Sequence, residues 1–357
     1  MDAICAPIDR LRRHAIAALG PLGTVMVRDR ELRVTTVAAL MILTALIVTI
    51  YAPFYLLLLG PVLLGVPHLI GDVCYLFVRP GLHRRALVWL AIAVPGGFAI
   101  AGKGSLAGAA SLALCALIAR APLWRRAIVL LAAGLFALAA LRSRMLTDMV
   151  VAHGHNVFAI VLWAMWRKRS SHKHWIPVAV FFSALALILG GAFDPLLRAF
   201  SSLMRLPDGV GVSSSLDWYA PGVASPWALR LTLAFIFAQS VHYAVWTRLV
   251  PEDDRARETP RSFAGSLRAL RKDFGLWIFL ALGLVALGIT VWATWDMAAA
   301  RLGYLNLSQG HAYIELAAAL LLWMERGRHL GRLPAHEPAH ASRLSLPRRL
   351  AFAFARM

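Results

Sequence analysis

Long, nearly unbroken apolar runs recur along the chain, divided by short segments that gather arginine, lysine, glycine and proline. "VTTVAALMILTALIVTI" and "GLWIFLALGLVALGITVWATW" are two of them. Each is close to the ~20 residues a helix needs to cross a bilayer core. The pattern predicts an all-α fold, a polytopic transmembrane helix bundle with spans at 35–52, 54–78, 86–102, 104–119, 123–141, 145–166, 175–193, 228–250, 275–295 and 304–325. The third and fourth flank the glycine-rich "VPGGFAIAGKGSLAGAAS". They read either as two spans or as a re-entrant pair, and the number of spans is left open between nine and ten. No strand alternation and no repeat of fixed period is present.

Composition agrees with this reading. Of 357 residues, 60% are hydrophobic, and mean hydropathy is +0.67, beyond an ordinary soluble domain. The balance of 37 basic to 18 acidic residues, net +19, brings nucleic acid to mind. The basic residues sit in short clusters between apolar runs, however, and no recognition module accompanies them, so no nucleic-acid partner is expected. On one side of the alternating loops lie Arg10, Arg12, Arg13, Arg28 and Arg30, then Arg79, Arg84 and Arg85, then Arg120, Arg125 and Arg126, then Arg167, Lys168, Arg169 and Lys173. The stretch from Arg248 to Lys272 and the tail from Arg326 complete that side. The other side holds Lys103, Arg142 and Arg144, and the loop 194–227, where Asp194, Asp208 and Asp217 offset Arg198 and Arg205. Positive loops face the cytoplasm, so both termini are expected there, in a multi-pass protein of a bacterial inner membrane, with membrane lipids as its surroundings.

Three segments follow: a basic cytoplasmic segment 1–34, a single transmembrane domain 35–325, and a basic tail 326–357. The first segment is too long and too charged for a signal peptide, and reads either as a helix lying on the membrane surface or as a disordered tail. The loop 251–274 is polar, and its "SFAGSLRALRKDF" reads either as a surface helix or as a solvated linker. Cys5, Cys74 and Cys115 have no CxxC spacing, which argues against a disulfide framework and a zinc–thiolate site.

Candidate chemistry lies in the histidines. His14, His83, His172, His174, His329, His336 and His340 fall in loops or tails and read as solvated polar residues. His68, His153, His155, His242 and His311 fall inside predicted spans, where ionisable groups are costly and usually functional. All belong to even-numbered spans, which run in one direction. Counting to the first following arginine, His68 stands 11 residues away, His155 12, His242 6 and His311 15. At 1.5 Å per residue the extremes differ by about 13 Å in depth, so His242 and His311 need tilt or an offset helix end to join the others.

Each histidine has a polar companion at helical spacing. Asp72 follows His68 by four residues, Glu315 follows His311 by four, Gln239 precedes His242 by three, Asp148 precedes His155 by seven and Asn156 follows His153 by three. A metal-bound imidazole usually gives its second N–H to a carboxylate or amide. Asp148, Gln239 and Asn156 are therefore expected as hydrogen-bond partners of ligand imidazoles. Asp72 and Glu315 are expected to serve in the same way, to move protons, or to bind metal themselves as in carboxylate-bridged bundles. His153 and His155 lie 200° apart on a regular helix, so only one faces a shared centre unless Gly154 allows a bulge. Neutral imidazoles suit Fe, Cu, Zn and Ni.

"GVPHLIGD" at 65–72 resembles the GxPHGxxD signature of the Brp/Blh family of bacterial membrane carotene dioxygenases. "VVAHGHNVFAIVLW" and "QSVHYAVWTRL" are similar to that family's histidine-bearing helices. Leu69 stands where the signature has glycine. The resemblance implies a membrane enzyme with non-haem iron held by histidines, cleaving the central double bond of a carotenoid with O₂, and it carries over His68 first, then His155 and His242. The leading expectation is thus an iron-dependent oxygenase acting on a lipophilic small molecule, a carotenoid or another isoprenoid or lipid. Two alternatives stand beside it. One is a protein binding haem b through paired histidines, although the EXXHRXXG motif of haem A synthase is absent. The other is a proton-coupled transporter that uses the same histidines and acids as a relay.

Overall fold

The computed structural model describes residues 2–166, 171–199, 212–255, 259–308 and 310–325. The tail 326–357 with its three histidines, the cluster 167–169 and part of the 194–227 loop lie outside the described residues. Every regular element among the described residues is a helix. Seven helices are long and apolar enough to cross a membrane: Arg30–Tyr51, Pro53–Val78, Leu123–Arg142, Arg144–Met165, His172–Leu189, Trp227–Asp254 and Leu276–Trp295. The chain is thus a helical bundle of the multi-pass membrane type.

The other predicted spans differ from expectation for local reasons. Ala86–Phe98 and Gly104–Ile118 are shorter apolar helices. The chain between them turns at Gly102, whose φ of 81° is open to glycine without strain. Span 304–325 is interrupted: one helix ends at Ser308 and another begins at His311. Conversely, the N-terminal segment is ordered as helices Asp2–Ala18 and Gly20–Arg28. The first packs on helix Phe263–Phe274, the "SFAGSLRALRKDF" stretch. Asp9 accepts hydrogen bonds from the Phe263 and Ala264 N–H groups at that helix's start, at 2.6 and 3.3 Å, where backbone donors lack intrahelical partners.

The start of the expected 251–274 loop is instead the end of a membrane helix, and it clamps the bundle. In "EDDR", Glu252 pairs with Arg33 at 3.3 Å and Arg248 at 2.8 Å, Asp253 with Arg30 at 2.7 Å, Asp254 with Arg79, and Arg255 with Asp273. Four successive residues thus bond two other helices and the Arg79 turn. Nearby, Glu325 accepts from Arg85 at 3.0 Å and from the Arg120 N–H at 2.9 Å. At the opposite end, Arg230 pairs with Asp194 at 2.6 Å, and Arg301 donates to the Leu57 carbonyl at 3.0 Å and the Tyr219 hydroxyl at 2.9 Å. These pairs join helix ends that the alternation of loops places on one side. Pro53–Val78, Arg144–Met165, Trp227–Asp254 and His311–Glu325 each bring one histidine to a common place.

Candidate metal centre

His68, His155, His242 and His311 converge from four helices. Ring centres are 5.1 Å apart for His68–His242 and His68–His311, 5.0 Å for His155–His242, 5.1 Å for His155–His311, and 6.0 Å for His242–His311. The depth mismatch read from arginine counts disappears because Arg248 does not mark a helix end. It lies inside Trp227–Asp254 and pairs one turn onward with Glu252. His311, for its part, opens a new helix and is not bound to the register of the preceding one.

The backbone aims three of the rings. His68 is preceded by a π-turn, Pro61–Gly65, and its Nδ1 lies 3.3 Å from the Leu64 carbonyl. His155 Nδ1 lies 3.1 Å from the Val151 carbonyl, and His311 Nδ1 lies 2.6 Å from the Ser308 carbonyl. A carbonyl can only accept, so each Nδ1 carries the proton and each Nε2 presents a bare lone pair. His68 Nε2 and His311 Nε2 then face each other at 3.4 Å. Two lone pairs at that distance repel unless a positive charge lies between them.

The chemistry of the donor set fits a metal ion. With a metal–nitrogen distance of ~2.1 Å, ligand nitrogens around one ion stand about 3.0–3.4 Å apart and the ring centres about 5 Å apart. Asp72 adds a carboxylate: ligand atoms of His68, Asp72, His242 and His311 all lie within 4.8 Å of one another. His68 and His242 are fully buried, as is Glu315, and Asp72 nearly so. Neither oxygen of Asp72 has a hydrogen-bond partner, while Glu315 faces the indole N–H of Trp246. Buried polar groups are almost always satisfied, so an unpaired carboxylate beside converging imidazoles marks a place for a cation. Glu315 is close enough to interact electrostatically with Asp72.

The remaining predicted residues separate from this centre. His153 turns away, with its Nε2 2.9 Å from the Tyr219 carbonyl and its ring against Phe235. Arg144–Met165 is a regular α-helix through Gly154, so no bulge brings both histidines inward. Asp148 is not a partner of His155. It accepts from Ser105 and from the Tyr313 hydroxyl at 3.0 Å and pairs with Arg144 at 3.4 Å. Asn156 donates to the Ala152 carbonyl at 3.0 Å, not to His153. Gln239 lines the cavity described next. Tyr243, with its ring 4.6 Å from that of His68, and Tyr304, with its hydroxyl 3.5 Å from His68 Nδ1, join the site unforeseen. The i+1 position of Tyr243 after His242 gave no helical signal, and Tyr304 arrives by tertiary packing alone.

A cavity of about 440 Å³ leads to the histidines. One face of Arg144–Met165 lines it with Met145, Met149, Ala152 and His155, and Phe235, Gln239 and His242 line it from Trp227–Asp254. Asp72 and Glu315 are not in its wall, so Asp72 stands on the far side of the histidines from the cavity. The three cysteines are free and buried. The chain matches no protein-family model, no curated protein and no solved structure.

Proposed function

We propose that this protein is an integral-membrane, iron-dependent oxygenase acting on a lipophilic molecule taken from the bilayer. The observation that carries the reading is the pair of Nε2 atoms of His68 and His311 facing each other at 3.4 Å, flanked by the rings of His155 and His242 and by the unpartnered carboxylate of Asp72. Four neutral imidazoles with Asp72 beneath them would hold one ion and leave the cavity side open. Iron held by such a set supplies activation of O₂. The residues of the chain do the rest. The carbonyls of Leu64, Val151 and Ser308 fix the tautomers, Asp72 contributes charge from below, and the apolar part of the cavity wall, Met145, Met149, Ala152 and Phe235, receives an apolar chain.

The rim favours entry from lipid. Met145, Trp218 and Leu302 line the cavity and are 55%, 63% and 54% exposed, with the exposed charges of Arg144 and Asp217 beside them at the headgroup level. Exposed apolar side chains around an opening suit a hydrocarbon phase better than water. Haem b fits less well. With imidazoles on all sides of a gap sized for one ion, the rings of His68 and His155 occupy space that a porphyrin bound between His242 and His311 would need. The resemblance of "GVPHLIGD" to the carotene dioxygenase signature agrees with iron and with an isoprenoid substrate. By the charge asymmetry we place the arginine-rich end in the cytoplasm of a bacterial cell, which puts the cavity in the outer half of the membrane.

The test is metal analysis of detergent-purified protein, followed by O₂ uptake after anaerobic reconstitution with ferrous iron. One iron per chain is expected, lost in His68→Ala, His155→Ala, His242→Ala and His311→Ala and kept in His153→Ala. Absence of metal binding in the wild type overturns the centre. Binding without O₂ uptake, across isoprenoid and fatty-acyl candidates, overturns the oxygenase.

A further inference from the structure

The cavity has a floor, and the histidines are part of it. Along Arg144–Met165 its lining begins at Arg144 and Met145 and stops at His155 and Asn156. The helix continues, but Ala159, Ile160 and Trp163 are fully buried in core packing. Along Trp227–Asp254 the lining stops at His242 and Tyr243, and Val245, Trp246, Leu249 and Val250 beyond them are closed in the same way. On His311–Glu325 it stops at Tyr313, with Ala317, Ala318 and Leu321 solidly packed below. Trp163 and Trp246 are the two largest fully buried side chains and stand under the centre. The open side carries the exposed rim of Met145, Trp218 and Leu302.

From Met145 to His155 the wall rises ten residues, about 15 Å at the α-helical rise. An extended hydrocarbon gains a little over 1 Å of length per bond, so this depth takes about a dozen carbons. A linear molecule that enters along this wall reaches the floor, and so the centre, with its end. A rigid polyene reacting at its middle needs a channel of equal length on the far side, and the packed tryptophans close that side. We propose that the substrate enters end-on, and that the carbon brought to the centre lies at or next to the buried terminus of a long isoprenoid or acyl chain. This rests on the oxygenase reading for its chemistry, but not for its geometry. It departs from the central cleavage that the sequence resemblance implies.

The experiment reads distance rather than turnover. The centre is loaded with cupric ion, and stearic acid carrying a nitroxide at carbon five, ten or sixteen is added to the protein in detergent. The expected result is strong broadening of the carbon-sixteen label by the bound copper, weak broadening at carbon ten and none at carbon five. Ala152→Trp, which fills the cavity one turn above His155, is expected to abolish the broadening while copper content stays unchanged, with Ala152→Leu giving a partial loss should the larger side chain prevent folding. Greatest broadening at carbon ten, or equal broadening at all three positions, overturns end-on entry. So does central cleavage of β-carotene by the iron-loaded protein. Broadening in the expected order without O₂ uptake by any chain leaves end-on binding in place and removes the oxygenase.

Discussion

Gly71 lies between His68 and Asp72 at the closest approach of two histidine helices. A Cβ placed there falls 2.7 Å from the carbonyl oxygen of Trp246, 3.2 Å from its carbonyl carbon and 3.3 Å from its Cβ. Ordinary contact begins at 3.4 Å, so Gly71→Ala requires about 0.7 Å of separation (3.4 − 2.7), and the obstacle is backbone, which cannot rotate away. Overpacking of this kind costs about 1–3 kcal/mol. The shift also reaches the centre, because His68 and Asp72 sit on one helix and His242, four residues before Trp246, sits on the other. Metal sites tolerate ligand displacements of about 0.2 Å. A movement several times larger predicts a loss of metal affinity of at least about tenfold, comparable with removal of a supporting hydrogen bond. Gly154 provides the contrast. It lies between His153 and His155, yet a Cβ there meets nothing within 4 Å. Gly154→Ala is expected to keep full metal affinity and to gain up to ~1 kcal/mol from helix propensity. Thermal unfolding in detergent followed by circular dichroism, with competitive metal titration, measures both variants. Wild-type stability and affinity in Gly71→Ala, or equal damage from the two substitutions, would refute the packing argument.

Asp72→Asn keeps the side-chain shape and removes the charge beneath the histidines. It should weaken metal binding by roughly 10–100-fold without unfolding the bundle, and unchanged affinity would remove Asp72 from the site. Of the two histidines in "HGHN", His155→Ala should lose bound metal and His153→Ala should keep it, and elemental analysis of the pair decides the matter. Glu325 is buried against Arg85 and the Arg120 N–H. Glu325→Gln should therefore cost about 1.5–3 kcal/mol, the scale of charged hydrogen bonds, seen as a lowered melting temperature with metal content intact. A reporter active only outside the cytoplasm, fused after Met357, should stay silent if the charge asymmetry sets the topology.

Much of this protein is written in its one-dimensional pattern, and the physical reason is the bilayer. Hydrocarbon demands about 20 apolar residues per crossing and penalises every ionisable side chain. The membrane class, the positions of most long helices and the unusual standing of His68, His153, His155, His242 and His311 were therefore legible from residue order alone, and only the fold turned His153 away from the rest. Helical periodicity also paired His68 with Asp72. What periodicity could not supply was anything that depends on a neighbouring helix or on a break in one. The Ser308 carbonyl that His311 Nδ1 approaches at 2.6 Å belongs to a different helix from His311, and no spacing rule forecasts it. Arg248 looked like a helix end because the bonding of "EDDR" to Arg30, Arg33, Arg79 and Asp273 is non-local. Asp148 lay on the expected face of its helix but was claimed by Ser105 and Tyr313 from two other helices. The floor of the cavity is likewise a property of packing. Trp163 and Trp246 are ordinary apolar residues in the sequence, and only the fold sets them under the histidines, where they decide how far a substrate can go.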